Sequence, residues 1–510
     1  MKFLRIAFLA SLFAFSAAEV QAAKPLQVWI MPNGVNPQGI LEERLALFTK
    51  ETGLKTQVVV LDWGEAWNRI STALESGKGL PDVMQLGTTW VSYFSARGEL
   101  AKLDPWLPEI NPSRYVPVSW STTGVDGDTS VYSVPWFLDV RAILGNRRIL
   151  AENDIKAGDI ASYQDFYKAL VKINAKNETL PDGTPVRAYA FPGKSDWNIP
   201  HNFAPWIFSA GGAFVKKDSN GKWQSNLLDP HTVTGIARYL RFVLDSTVDP
   251  SSLRSNTAQI AQRFNNGELA FILNTAEIVM QTRYKENLGG LAKARIGSDG
   301  VLVFPVPSGE AGSICFIGGS NLAIPQKKAD NADARKLLLF LSRDDNLDAY
   351  TSKIGFLPPV KTVLSNWAKD SVYKVLVTQL ETARPYPSIP NWGTVENTLV
   401  EMFSNIWSLV DVEGLYSEDA VYKTLVDYNG KINDILGAAA ADSVTMSQQE
   451  FQAAWHAING TDPDTADANS SSRETKDKGA AGFGLPTTAG ILIAAIILGF
   501  IFAYTRKRKG

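Results

Sequence analysis

The sequence predicts an α/β protein built on a parallel sheet with helices on its faces. Two observations carry this. Short apolar runs alternate with longer amphipathic ones from residue 26 to residue 86, and the strand–helix–strand spacing is that of right-handed crossovers. At 510 residues the chain also exceeds one ordinary domain, so at least two lobes with their own cores are expected.

The elements follow in order. "LQVWI" (26–30) reads as a buried strand. "GILEERLALFTKETG" (39–53) reads as a helix with Leu41, Leu45 and Phe48 on one face and Gly53 as its stop. "KTQVVVL" (55–61) is a second strand, "GEAWNRISTALESG" (64–77) a second helix and "PDVMQL" (81–86) a third strand. Such sheets place ligands beyond the carboxyl ends of their strands. Those ends carry Met31-Pro32-Asn33, Asp62-Trp63 and Gly87-Thr88-Thr89-Trp90, so two of the three present a tryptophan.

The stretch "SVPWFLDVRAILGNRRIL" (133–150) reads as a strand. Period 2 puts Trp136, Leu138, Val140, Ala142 and Leu144 on one face, and Phe137, Asp139, Arg141 and Ile143 on the other. An acid and a base therefore share a face of an otherwise apolar strand. Further on, "TGIARYLRFVLD" (234–245) belongs to the middle section, and "AQRFNNGELAFILNTAEIVMQ" (261–281) reads as helix, turn, strand at 269–273, then a loop at Asn274–Glu277. "FIGGSNLAI" (316–324) reads as a strand and "NADARKLLLFLSRDD" (331–345) as a helix. From about 361 the pattern is helical, interrupted by the proline-rich "ARPYPSIPNWG" (383–393).

A 45% hydrophobic and 20% charged composition is that of an ordinary globular protein. The formal charge of −2 conceals a basic tail, Arg506 to Lys509, and a slightly basic N-terminus, which leave the part between them near −7. With no basic stripe, nucleic acid is excluded as a partner. One cysteine, Cys315, excludes a disulfide framework, and three scattered histidines offer no metal-ligand spacing, so no metal or cofactor is expected. Fourteen tryptophans are about twice average usage, and tryptophan often sits at ligand surfaces.

Both ends are addressed to a membrane. Residues 1–22 have a basic start, an apolar run from Ile6 to Ala18 and the small-residue site Val20-Gln21-Ala22, which is the pattern of a cleaved secretory signal. Residues 485–505 open with twenty uncharged positions, long enough for a transmembrane helix. The tail 506–510 is expected in the cytoplasm, leaving the body outside. Leu485-Pro486-Thr487-Thr488-Ala489 also resembles a sortase motif, with Ala where Gly is usual. Residues 456–484 are rich in Gly, Asp, Ser, Thr and Ala and form a flexible linker, with a reach of roughly 30 Å.

Five segments resemble a known family in its own order. They are "ESGKGLPDVMQLGTTWVSYFSARGELAKLDPWL", "VPWFLDVRAILGNRRIL", "FNNGELAFILN", "FIGGSNLAIPQKKADNADARKLLLFLS" and "ARPYPSIPNWGTVENTL". The family is the extracellular solute-binding proteins of family 1, the maltose-binding-protein-like receptors of carbohydrate ABC transporters. The resemblance covers roughly residues 26–440. It implies a two-lobed periplasmic-binding-protein fold of type II, with a hinge and an interlobe cleft that closes on a sugar. It also implies an N-terminal lobe of 24–137 plus 316–360 and a C-terminal lobe of 138–315 plus 361–455. The partners it implies are a carbohydrate and the permease subunits of a transporter, with the chain acting as a monomer. The C-terminal apolar run departs from the family's usual free or N-terminally lipidated form.

Sugar sites combine flat aromatic faces for pyranose C–H groups with planar charged or amide groups for hydroxyls. The resemblance places Asp139 as the acidic group after the first crossing, with Arg141 beside it and Trp136 as stacking platform or hinge anchor. Thr89 and Trp90 fall in the loop after the third strand, with Trp63 nearby. Glu277 stands where the family often has an aromatic residue, and Trp197 and His201 lie in a loop offering aromatic contacts. Arg384 and Trp392 complete the set, while Gly318 and Gly319 are expected to serve the hinge. For Asp139 and Arg141 the plain alternative is a structural ion pair, and for Trp90 and Trp392 it is packing. Two other functions stay open. One is a glycosidase using Asp139 with Glu277, although no nucleophile elbow, metal cluster or phosphate loop accompanies them. The other is a carbohydrate sensor or surface polysaccharide-binding protein of the same fold.

Overall fold

Eleven strands organise the computed structural model of the chain, which describes residues 24–34, 36–193, 196–283, 296–297, 299–438 and 445–456. In chain order they are β1 (Leu26–Ile30), β2 (Thr56–Val60), β3 (Val83–Gly87), β4 (Ser133–Val140), β5 (Ala142–Asn146), β6 (Arg187–Ala190), β7 (Val215–Lys217), β8 (Trp223–Ser225), β9 (Leu269–Asn274), β10 (Val301–Phe304) and β11 (Ile317–Ala323). They form a five-stranded sheet in the order β2-β1-β3-β11-β4, a four-stranded sheet in the order β10-β5-β9-β6 and a β7–β8 hairpin. The body up to Trp455 is one compact unit.

The first three strands pair in parallel as predicted. Alternation along them explains the layers. Val28 and Ile30 pack with Leu41, Leu45 and Phe48 of the helix Pro37–Thr52, whereas Trp29 and Met31 pack with Ala66, Ile70 and Leu74 of the helix Trp63–Ser76. Each of the larger aliphatic and Phe side chains contributes about 1.5–3 kcal/mol on burial. The first helix begins where the Asn36 side chain accepts from Gly39 N–H and Pro37 supplies the initial φ. It ends at Gly53 in the left-handed region, φ 75°.

The stretch 133–150 is not one strand. It breaks at Arg141 into β4 of the first sheet and β5 of the second, followed by the helix Arg147–Glu152. The single two-faced strand expected from alternation is therefore corrected: β4 and β5 lie in different sheets. The chain returns through 305–316 into β11, which runs antiparallel to both β3 and β4. A third pass brings Leu357 beside Leu138, with paired backbone bonds of 2.7 and 3.1 Å. At Gly319 (φ 135°) a Cβ would meet the Phe137 carbonyl oxygen at 2.3 Å, so the two crossing strands approach as closely as they do because no side chain is present. Finally, 380–391 runs back across the junction and leads into the helix Trp392–Asp411, which packs against the helix Thr88–Ala96 on one side and Ile199–Ser209 on the other.

Two further expectations shift. Glu277 opens a short helix, Glu277–Arg283, rather than ending a loop. The helix expected at 331–345 divides into Ala332–Leu341 and Asp344–Ile354. Among the described residues no helix is long and apolar enough to cross a membrane. The signal, linker, transmembrane and tail segments all lie outside the described residues.

Candidate ligand-binding site

The site grows from the point where β4 ends. Asp139 stands opposite Gly318 in β11, so no facing side chain fills the space beside it. Its Oδ2 lies 3.6 Å from Arg141 Nη2, whose own close bond goes to Asn198 Oδ1 at 2.6 Å. Arg141 is 3% exposed. Both Asp139 Oδ1 and Arg141 Nε are buried without a hydrogen-bond partner. Buried polar atoms are ordinarily satisfied, and leaving one unpaired costs about 1–3 kcal/mol. A purely structural ion pair would use these atoms. Burial pushes the Asp139 carboxyl above its usual range, against the pull of Arg141.

Glu277 faces the same pair from the start of the helix that follows β9. Burial and the Asp139 charge raise its pKa to about 7, opposed by Arg141 and by the backbone N–H of Gly34. It is half-buried by area, yet protein surrounds it closely enough to strip its hydration. Gly34 follows β1, so this contact joins the two lobes. Gly355 (φ 86°) packs against the same helix, and a Cβ there would stand 2.8 Å from Glu277 Cα.

A run of aromatic rings rises beside these carboxylates. Trp63 and Trp90 meet edge to face at 5.6 Å, and Trp67 backs Trp90 at 5.4 Å. Trp63 Nε1 donates to Pro32 O, which fixes the ring over the end of β1. Across the cleft, Trp197 lies nearly parallel to Trp63 at 6.3 Å while remaining 56% exposed. Trp197 in turn meets His201 at 5.1 Å. His201 stacks on Phe316 at 4.5 Å and shares a 2.8 Å hydrogen bond with Tyr386 Oη.

Glu396 lies 3.6 Å from His201 Nε2. Burial raises Glu396 to about 7, against a hydrogen bond with Thr89. Burial, with Arg141 nearby, holds His201 well below its ordinary value. Despite its distance this contact is therefore not an ion pair near neutrality, because desolvation disfavours charge on both groups.

Beyond Tyr386 the cleft widens into a cavity of about 510 Å³, lined from both lobes. Arg384 lies here with its guanidinium over Phe208 at 4.8 Å and Nη1 donating to Gly212 O. Trp392 also borders it but is fully buried, its ring packed on Tyr386 at 4.7 Å.

The structure thus gathers Asp139, Arg141, Glu277, Thr89, Trp63, Trp90, Trp197 and His201 around one cleft, and puts Arg384 and Trp392 at its extension. Trp136 is the exception: of its two expected roles, stacking platform or hinge anchor, it takes that of a core anchor. It is 1% exposed in the first core and stacked on Tyr350 at 4.5 Å, because β4 is covered on both faces rather than one. Sequence reasoning missed Glu396, Tyr386, Phe316 and Asn198. Two had a signal: Glu396 follows Trp392 by four residues on a helix and so shares its face. Tyr386 follows Arg384 by two in extended chain. Among the described residues no cluster of His, Cys, Asp and Glu could hold a metal.

Comparison with known proteins agrees with the fold. A relative, the diacetylchitobiose binding protein DasA of Streptomyces coelicolor, is 26% identical over 394 residues, spanning 75% of this chain and 84% of its own. A tagatose-bound ABC transporter solute binding protein from Thermotoga lettingae superposes with a TM-score of 0.69 at 18% identity, covering 81% of this chain and 100% of its own. The acarbose-binding GacH receptor of Streptomyces glaucescens gives 0.66 at 20%, covering 81% and 99%. The model of the bacterial extracellular solute-binding proteins matches residues 33–348, and the chain belongs to that family.

Proposed function

We propose that the protein is the sugar receptor of an ABC transporter, working at the outer face of the cell membrane. Its two lobes, 24–137 with 316–360 and 138–315 with 361–455, close on an oligosaccharide or related polyol, and the closed form is presented to the permease. The linker 456–484 and the apolar segment 485–505 hold it at the membrane. It performs no chemistry on its ligand.

The observation that carries this reading is the pair of unpartnered buried atoms, Asp139 Oδ1 and Arg141 Nε, facing a cleft walled by tryptophans. Together they offer an acceptor and a donor to vicinal hydroxyls, with flat apolar faces alongside. A sugar-binding relative and sugar-bound structural neighbours support the same ligand class.

The test is calorimetry of the purified protein against mono- and oligosaccharides, with phosphorylated polyols and glycerol phosphate esters in the same panel. Saccharide binding that Asp139→Ala weakens by roughly tenfold or more, with the fold intact by circular dichroism, is the expected outcome. Binding confined to ligands that are neither saccharides nor polyols, or turnover of an oligosaccharide, would sink the proposal.

A further inference from the structure

The cavity beyond Tyr386 has an ion pair at its rim. Its rim is bridged directly from one lobe to the other. On the first lobe, the segment leading into β4 carries Asp126. On the second, the β7–β8 hairpin carries Lys217 and Trp223. Lys217 Nζ lies 2.7 Å from Asp126 Oδ2, and Trp223 Nε1 donates to the same oxygen at 3.0 Å. The Asp126 backbone N–H donates to Ser388 O at 2.7 Å, which anchors the loop to the segment that forms the cavity wall. Bonds from Lys217 and Trp223 hold the Asp126 carboxyl below its usual range even though burial pushes it up.

At the opposite boundary Tyr386 packs on Phe316 at 4.3 Å and bonds to His201, so these rings mark where the cavity meets the carboxylate end of the cleft. The space, about 510 Å³ and open on one side, has room for the end of a short oligosaccharide. Its chemistry is that of a sugar subsite. Trp223 borders it with a partly exposed ring, and Arg384 has no acidic partner among the described residues.

We propose that this cavity receives the terminal unit of the sugar and that the Asp126–Lys217–Trp223 bridge limits chain length, so that the receptor takes short oligosaccharides by their end. This rests on the sugar-receptor reading and narrows its ligand class. A chain continuing past the rim must break the ion pair and the indole bond, and closure then loses those contacts. The discrimination is built against the longer ligand rather than for the shorter one.

The experiment is calorimetry of the full-length protein against linear malto-, cello-, xylo- and chito-oligosaccharides of graded length. In any series that binds, affinity is expected to be greatest at two or three units and to fall by roughly tenfold or more for the hexamer. The double variant Asp126→Ala/Lys217→Ala opens the rim but leaves the Trp223 ring, and it should bring the hexamer to within about threefold of the trimer. Circular dichroism checks its fold, and hexamer binding by the wild type is itself decisive if the variant misfolds. A hexamer bound by the wild type as tightly as the trimer overturns the proposal. So does a folded variant that keeps the wild-type preference. Failure of every saccharide to bind, by contrast, removes the sugar reading itself and this inference with it.

Discussion

Replacing Glu277 with Gln should stabilise the protein at alkaline pH and leave it unchanged in acid. Glu277 rises from an ordinary 4.5 to about 7 because burial and Asp139 disfavour its charge. That rise corresponds to about 3 kcal/mol. Since the folded form holds the proton more tightly than the unfolded one, stability falls as pH climbs from about 4.5 to 7 and stays low above that. Gln carries no charge at any pH and can still accept from Gly34 N–H. The variant should therefore match the wild type near pH 4.5 and exceed it by up to about 3 kcal/mol at pH 8. For a body of this size that is a gain of roughly 3 °C in Tm. Comparison of the two proteins is needed, because His201 works in the opposite sense. Its depressed pKa takes stability away as pH falls below about 6.5, so the raw wild-type profile mixes both. The assay is thermal melting at half-unit steps from pH 4.5 to 8. A difference between variant and wild type that does not grow with pH would refute the reasoning.

Other perturbations have equally definite outcomes. Glu396, also raised to about 7, should behave like Glu277, so that Glu277→Gln/Glu396→Gln gives about twice the alkaline gain of either alone if the two sites are independent. Trp197→Phe should reduce the change in tryptophan fluorescence on ligand addition, because Trp197 meets Trp63 across the cleft and changes environment as the lobes part. An undiminished signal would place the moving indole elsewhere. Leu45→Ala, in the core beneath β1, should cost about 2–5 kcal/mol in urea unfolding and leave affinity untouched. Gly319→Ala should destabilise the junction of β4 and β11, since the added methyl meets backbone at 2.3 Å. A wild-type melting temperature would show that the strands can move apart at no cost.

The parts of the fold read correctly from sequence are those where local pattern and burial agree. The strands β1, β2 and β3 and the two helices between them repeat a simple period and are capped by Asn36, Gly53 and Asp62. The break at Arg141 was hidden because the apolar alternation continues unchanged from β4 into β5, and nothing local signals that the chain changes sheets. Trp136 stayed ambiguous for a related reason. Alternation does not tell which face of a strand is covered, and the helix Asp344–Ile354 covers this one from two hundred residues downstream. In the site, motif order located the acidic pair and the tryptophans. It gave no means of seeing that Glu396, more than two hundred and fifty residues after Asp139, would complete the same cleft.

The helix that carries Glu396 has a consequence for how such a receptor changes its ligand. Its first turn is wedged between Thr89 of one lobe and His201 of the other. A substitution there alters the fit of the ligand and the energy of the closed form together. Apparent affinity is the intrinsic affinity scaled by the fraction of molecules competent to bind. Variants selected for a new sugar at this position will therefore drift in resting conformation as well. A variant that binds tightly because it rests closed would be slow to release its ligand, so affinity and release are coupled through a single residue.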